Sequence, residues 1–288
     1  MLELKTLVPD IYALLDKLNN GETVEGDIGP HIDKCVEDIR EAIMHWATPQ
    51  IRSRHDGLRM SNIGKPNRRL YYDLNDDNEE GISNEHPSLQ IKFLYGHILE
   101  QILLMLAKAA GHAVTCEQQE VNVEGIKGHM DSVIDGEVVD VKTASSFSFK
   151  KFATGQLAED DAFGYLPQLA GYEEAKGTRG GGFFVIDKVT GEICLYIPED
   201  LDKPNIVSRI AEAKGIKELD TPPELCYPDI PNGKAGNMTI NRLCGFCPHK
   251  ELCRADANDG AGLRKFQYSG KIEYFTEVIK APRVEEIL

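Results

Sequence analysis

The tightest constraint on this chain is the dipeptide Asp135-Gly136, set between two apolar runs in GIKGHMDSVIDGEVVDVKTAS. Asp-Gly suits the positive φ angles of a two-residue hairpin loop, so the stretch predicts an antiparallel hairpin with a fixed register. In that register Ile134 faces Glu137, Val133 faces Val138, Ser132 faces Val139 and Asp131 faces Asp140. Side chains alternate along a strand. Asp140 and Lys142 therefore share a face with Asp131, while Met130, Ser132, Val139 and Val141 take the other. Two carboxylates directly opposite repel each other, and a positive group between them relieves the strain. Lys142 is one candidate for that group and a divalent cation is the other. Carboxylates with water suit hard cations such as magnesium or manganese, not zinc. An exposed hairpin whose charges are merely solvated is the plain alternative.

The flanking segments add to this. The run SLQIKFLYGHILEQILLMLAKAA at 88–110 predicts a long apolar helix stopped by Gly111. His97 and Glu100 share one of its faces at i, i+3. A Glu among Leu94, Ile98, Leu99 and Leu103 needs a partner, and a cation would supply one. His97 is either a ligand or an ordinary core or boundary histidine. Residues 158–176 predict a helix with Pro167 at a kink or at its start. Gln168 and Tyr172 share a face there, as part of a site or as a polar stripe. Strands are expected over 114–123 and on either side of a Thr190-Gly191 turn, a further helix over 205–219, and a last strand in KIEYFTEVI. Helices followed by this alternation predict a mixed α/β (α+β) fold, a mixed sheet flanked by helices.

At 288 residues the chain has room for one or two domains. The expected division is an N-terminal helical region at 1–84, a core at 85–220 and a Cys-rich tail at 221–288. No uninterrupted apolar run approaches the ~18 residues that span a bilayer, and the N-terminus lacks a basic secretory n-region. The expectation is a cytoplasmic protein with no membrane partner. A net charge of −15 excludes a protein that coats nucleic acid, but not an enzyme that engages it along a local basic path. Such a path is offered by Arg52, Arg54, Arg59, Lys65, Arg68 and Arg69, which stand against the single acid Asp56. A solvated helix face would carry the same charges.

Four pieces, in order, then resemble the PD-(D/E)XK nucleases and among them the RecB-like exonuclease branch. They are Gly96-His97-Ile98-Leu99-Glu100, Gly128-His129-Met130-Asp131, Val139-Asp140-Val141-Lys142-Thr143 and Gln168-Leu169-Ala170-Gly171-Tyr172. The resemblance spans about residues 60–255 and implies a restriction-endonuclease-like mixed-sheet core. It implies that Asp131 and Asp140 are metal-binding acids, that Glu100 is the helix acid, and that His97 and Val141 are further metal contacts. It implies that Lys142 is the catalytic lysine. Gln168 and Tyr172 match the Q-x-x-x-Y element that helps hold the substrate strand and order the site. Many relatives carry Glu where Asp140 stands. The implied activity is hydrolysis of DNA phosphodiester bonds with Mg²⁺ or Mn²⁺, acting on single- or double-stranded linear ends in degradation, replication or recombination. Ser61, Arg59, Lys65, Arg68 and Arg69 resemble the segment at the mouth of these nucleases, and Lys150 and Lys151, with Phe147 and Phe149, follow the active-site strand. Aromatics among lysines stack bases and bind phosphates, although the same Phe residues could pack inward. A structure- or site-specific endonuclease on the same core is the rival enzyme.

Seven cysteines without a secretory signal suit metal ligation or free thiols better than disulfides. Cys244, Cys247 and Cys253 resemble the C-x2-C-x5-C run of RecB-like nucleases that bind a 4Fe-4S cluster. The family's upstream fourth ligand is missing, and Cys226 replaces it as in phage-type members, which points to a phage-encoded protein acting in the host cytoplasm. Cys35 and His249 are weaker candidates. With all four ligands local, structural Zn²⁺ is the rival metal, and a non-catalytic iron-sulfur or zinc nucleic-acid-binding protein is the rival function. Cys116 and Cys194 lie in strand patterns and read as inert core residues.

Overall fold

The computed structural model describes residues 2–24, 26–48, 57–75 and 88–287. Arg52 and Arg54 of the expected basic path lie outside them. The chain divides into two compact units, Met1–Gly64 with His86–Lys214, and Lys65–Glu85 with Gly215–Leu288. This replaces the three successive segments expected from the sequence. Residues near 70 belong with the tail because their side chains are spent on it, as described below.

The first unit is built on a five-stranded mixed sheet. Its helices are α1 (Leu7–Asn19), α2 (Gly29–Ala47), α4 (Ser88–Ala109), α5 (Ser146–Ala153) and α6 (Tyr165–Lys176); α3 (Asn67–Asn75) lies in the second unit. The strands are β1 (Val114–Thr115), β4 (Ser132–Ile134), β5 (Glu137–Ala144), β6 (Gly182–Asp187) and β7 (Ile193–Tyr196), paired in the order β1-β4-β5-β6-β7. Strands β2 (Gln119–Val123) and β3 (Ile126–Met130) form a separate antiparallel ribbon. β5 and β6 run parallel and the other neighbours antiparallel, so the expected mixed sheet flanked by helices is what forms. β5 is buried almost throughout, as a strand covered on both faces must be. On one face Val139, Val141 and Phe184 pack with Leu7 and Ile11 of α1 and Leu103, Leu104 and Ala107 of α4. On α5, α6, β6 and β7, Phe152, Tyr165, Phe183 and Tyr196 form a linked aromatic cluster.

The hairpin forms in the expected register, with Ser132, Val133 and Ile134 opposite Val139, Val138 and Glu137. Asp135 and Gly136 take φ of 52° and 91°. The turn is also tied down. Asp135 Oδ2 lies 2.6 Å from His112 Nδ1, and its Oδ1 accepts the Ala113 N–H at 3.0 Å. His112 follows the C-terminal end of α4, where Gly111 at φ 94° lets the His112 N–H reach back to the Ala107 carbonyl. The helix that carries Glu100 is thereby locked to the hairpin that carries Asp140.

Two sequence expectations fail here for local reasons. Strand 114–123 is broken in two because Cys116 and Gln118 turn to positive φ. Helix 158–176 begins only at Tyr165, with Pro167 in its first turn and Asp161 accepting the Tyr165 and Leu166 N–H groups. Among the described residues α4 is the one helix long and apolar enough to cross a bilayer by length and composition, at a mean hydropathy of 1.2. In the first unit it buries Glu100, Leu103, Leu104 and Ala107.

The second unit holds an antiparallel sheet that the Pro- and Gly-rich composition concealed. Its strands are β8 (Ile230–Asn232), β9 (Asn237–Thr239), β10 (Arg264–Tyr268), β11 (Lys271–Glu277) and β12 (Glu286–Ile287), in the order β12-β10-β11-β9-β8. Phe266 and Phe275 meet edge-to-face at 5.1 Å in its core. The helix expected at 205–219 is α7 (Ile206–Ile216), most of which belongs to the first unit.

Candidate active site

The site in the first unit grows from the end of β4, the middle of β5 and the buried turn of α4. Asp131 leaves the ladder one residue before the expected Asp131–Asp140 pair, since pairing ends at Ser132–Val139. Its carboxylate instead accepts the Val141 N–H at 2.7 Å, and its carbonyl accepts the Gln118 N–H. Val141 thus contributes a donor to Asp131. Asp140 is 1% exposed, and the Lys142 ammonium lies directly against its Oδ2. Of the two positive groups that could separate the aspartates, the structure places Lys142 there.

Glu100 is buried on α4 and accepts the Gln118 Nε2 at 2.5 Å. Burial, opposed by Gln118 and reinforced by the charge of Asp140, pushes its carboxyl up to about 7. Burial and the charges of Asp140 and Glu100 push Asp131 well above the usual carboxylate range. Burial works against the Lys142 ammonium, but Asp140 and Asp131 outweigh it and raise its pKa. Three carboxyls thus act on one another around a single ammonium. The raised values of Glu100 and Asp131 keep protons on the set when no cation is bound, and its donors are the hard oxygens that Mg²⁺ and Mn²⁺ take. Among the described residues, however, no three of His, Cys, Asp and Glu form a closed cage for one ion. With Lys142 seated on Asp140, a cation would have to shift that ammonium.

The pKa of His97 on α4 is lowered, first by partial burial and then by the charge of His45 on α2. Gln168 and Tyr172 form one bonded pair. Tyr172 is 1% exposed, donates its hydroxyl to the His129 carbonyl at 2.8 Å and accepts Gln168 Nε2 at 3.0 Å. The pair ties α6 to the backbone just before Asp131. It orders the site, and the buried ring has no surface to offer a substrate strand.

Sequence reasoning missed Gln118, Tyr165 and Met60. Gln118 holds Glu100. The ring of Tyr165 lies 5.1 Å from Lys142 Nζ and covers that ammonium. Gly128 and Gly171 leave room for fully buried Met60: a Cβ at Gly128 would sit 2.5 Å from Met60 Cβ, and one at Gly171 2.1 Å from its sulfur. Met60 also donates its N–H to the Lys127 carbonyl at 2.8 Å, which fixes exposed Arg59 and Ser61 beside it. The repeated Gly in GIKGHMD and QLAGY was the available signal.

The remaining basic candidates divide. Lys150 is exposed; Lys151 pairs with Asp160 and lies over the ring of Phe147 at 5.6 Å. Phe147 is 68% exposed whereas Phe149 is buried, so one Phe points out and one packs inward. In the second unit Lys65 pairs with Asp73 at 2.7 Å. Arg68 turns to the tail, donating Nε to Cys253 Sγ at 3.1 Å, Nη2 to the Cys253 carbonyl at 3.3 Å and Nη1 to the Pro223 carbonyl at 2.5 Å. Its expected phosphate contact is therefore replaced by service to a cysteine.

All seven cysteines are free thiols. Burial pushes Cys226 up against the N–H groups of Arg69 and Arg68, and Cys247 up against that of His249. Burial takes Cys244 to about 11, opposed by Arg254 and assisted by the charges of Cys226, Cys247 and Cys253. N–H groups meet Cys226 and Cys247 and the Arg68 guanidinium meets Cys253, while burial favours the neutral thiols. The four sulfurs do not form a single-ion cage. Cys35 lies in the other unit, its thiol on the Gln101 carbonyl, and His249 is engaged with Asp73 at 2.8 Å. Cys194 is pushed up to about 11 by burial, and Cys116 is half-buried near the Lys176 ammonium.

No protein-family model and no curated protein matches the chain. Several solved structures are similar to it, three of which follow. The protein SSO0001 is 16% identical with a TM-score of 0.41 over 80% of this chain and 97% of that one. A phage related exonuclease from Haemophilus somnus 129PT is 15% identical with a TM-score of 0.40, over 57% and 94%. An alkaline exonuclease from Laribacter hongkongensis is 13% identical with a TM-score of 0.34, over 55% and 91%.

Proposed function

We propose that the chain is a divalent-metal-dependent deoxyribonuclease of the RecB-like PD-(D/E)XK type, an exonuclease acting on linear DNA ends. The observation that carries this reading is the arrangement of Glu100, Asp131 and Asp140 around Lys142, with Asp131 fixed by the Val141 N–H. A solvated hairpin would not hold three mutually repelling acids in a largely buried setting. A divalent ion held by these acids would polarise a phosphate and supply a nucleophilic water near neutral pH. Asp131 and Asp140 would hold that ion, with Glu100 adding a third carboxyl from α4. Lys142, once released from Asp140, would face the attacked phosphate and offset its charge. Tyr165 keeps bulk water from one side of the ammonium, and Tyr172 and Gln168 keep the backbone before Asp131 in place.

The same reading assigns Cys226, Cys244, Cys247 and Cys253 to a 4Fe-4S cluster, with structural Zn²⁺ as the alternative. The N–H and Arg68 donors around the sulfurs favour bound thiolates in either case. A phage-type member of the family would have this cysteine spacing.

The test is incubation with end-labelled linear and closed circular DNA, single- and double-stranded, with manganese and with EDTA. Metal-dependent loss of linear substrates alone is expected. Asp131→Asn and Asp140→Asn should each lower the rate by orders of magnitude with the fold intact. Cutting of intact circles moves the reading to an endonuclease. Absence of cleavage in a protein that binds DNA leaves a non-catalytic iron-sulfur or zinc protein.

A further inference from the structure

We propose that Phe163, stacked on Tyr165, is a platform for an unpaired nucleobase at the mouth of this site. The proposal rests on the nuclease reading and adds a substrate subsite to it. Phe163 is 59% exposed, which alone needs no explanation. Its setting does. Its ring lies 5.6 Å from that of Tyr165 at an interplanar angle of 25°, and the Tyr165 ring carries Lys142 Nζ at 5.1 Å. The stack therefore runs from solvent to the ammonium beside Asp140.

The loop that presents Phe163 is fixed on both sides. Asp161 accepts the Tyr165 and Leu166 N–H groups at 2.8 Å each. Gly164, at φ 75°, packs backbone to backbone on Gly64, where a Cβ on either residue would lie 2.5 Å from the other. On the other side Asp160 pairs with Lys151, which lies over the exposed ring of Phe147. Phe163 thus cannot fold inward, and the inner side of its stack is already filled by Tyr165. A flat ring added to the solvent side extends the stack, and every nucleobase has such a face once it is unpaired. A base seated there brings its phosphate toward Lys142 and Lys151. Paired bases inside a duplex cannot take this place, so the subsite selects a single-stranded or frayed end.

The test uses single-stranded oligonucleotides carrying 2-aminopurine near either end, bound by the full-length protein with calcium in place of magnesium. Wild-type protein should quench the fluorophore at one end. Phe163→Ala should abolish the quenching and weaken binding about ten-fold, within the usual effect of removing one stacked aromatic. Phe163→Trp should restore both. An abasic residue at the quenched position should weaken wild-type binding by a similar factor and add nothing to the loss in Phe163→Ala. Unchanged quenching and affinity in Phe163→Ala overturn the platform while leaving the nuclease reading intact. Stacking without metal-dependent cleavage overturns the nuclease reading and leaves the platform. A wild-type protein that neither binds nor quenches overturns the platform.

Discussion

Glu100 and Asp131 carry the clearest consequence at the scale of single residues. With the Glu100 carboxyl raised from 4.5 to about 7, the folded protein keeps a proton that the unfolded chain has lost over that interval. Asp131 shifts in the same direction. A state that binds more protons loses stability as pH rises. The thermal midpoint of cation-free protein should therefore fall between pH 4.5 and 7, and Glu100→Gln should flatten the fall and raise the midpoint at pH 8. Mn²⁺ should recover the wild-type loss, since a ligand of the folded state stabilises it. A wild-type midpoint that climbs over this interval contradicts the charge assignment. Asp140 and Lys142 were legible in the sequence because Asp135-Gly136 dictates register. Asp131 was misjudged by one pairing step, because its side chain gains more from the Val141 N–H than from a place opposite another carboxylate. Gln118 and Tyr165 were invisible, since nothing local announces an amide that will meet Glu100 or a ring that will cover Lys142.

Among the elements, α6 and β3 are held at their spacing by what they enclose. Met60 fills the space left by Gly128 and Gly171, and Tyr172 bonds the backbone at His129. Gly128→Ala would press a methyl against Met60 Cβ and the Tyr172 ring, which costs about 1–3 kcal/mol and should appear as a lower denaturant midpoint. Tyr172→Phe keeps the ring and loses the hydroxyl bond, for about 1 kcal/mol of stability. Because that bond orders the approach to Asp131, turnover should drop about ten-fold, as misplacement by fractions of an ångström does, with KM little changed. Equal turnover in steady-state assays would show that the hydroxyl only stabilises. Helix ends were readable where a glycine imposed them, as at Gly111. They were misread where a distant side chain decides, as with Asp161 at the start of α6. In the second unit β11 was legible in the run KIEYFTEVI, whereas its other strands are short, with Pro231 inside β8 and glycines between them, leaving no alternating run to read.

For the molecule as a whole, the division matters more than the element count. The second unit is assembled from Lys65–Glu85 and Gly215–Leu288, and Arg68 reaches Cys253 and the Pro223 carbonyl across it. A fragment of residues 221–288 lacks that guanidinium and the N–H groups at Cys226. It should unfold without cooperativity and, on the proposed assignment of the cysteines, retain no metal, where the full chain should give a sharp transition and a fixed metal content by elemental analysis. Arg68→Ala in the full chain should lower metal content several-fold while the far-UV spectrum stays the same. Full metal content in Arg68→Ala would show that the guanidinium serves the carbonyls alone. The sequence showed the cysteines but not this partner, because Arg68 sits in a stretch whose composition suits phosphate contacts equally well.

The contact from Arg68 to Cys253 joins residues 185 positions apart. A ribosome adding about 5–20 residues per second needs roughly 10–40 s to make that stretch. For all that time the segment around Arg68 has been made and its partners have not. The first unit has its own last residue, Lys214, well before Cys253 emerges. Vectorial synthesis therefore lets the acid cluster close first and leaves the thiols to be gathered afterwards, so any metal they take is loaded onto a chain whose other half is already folded.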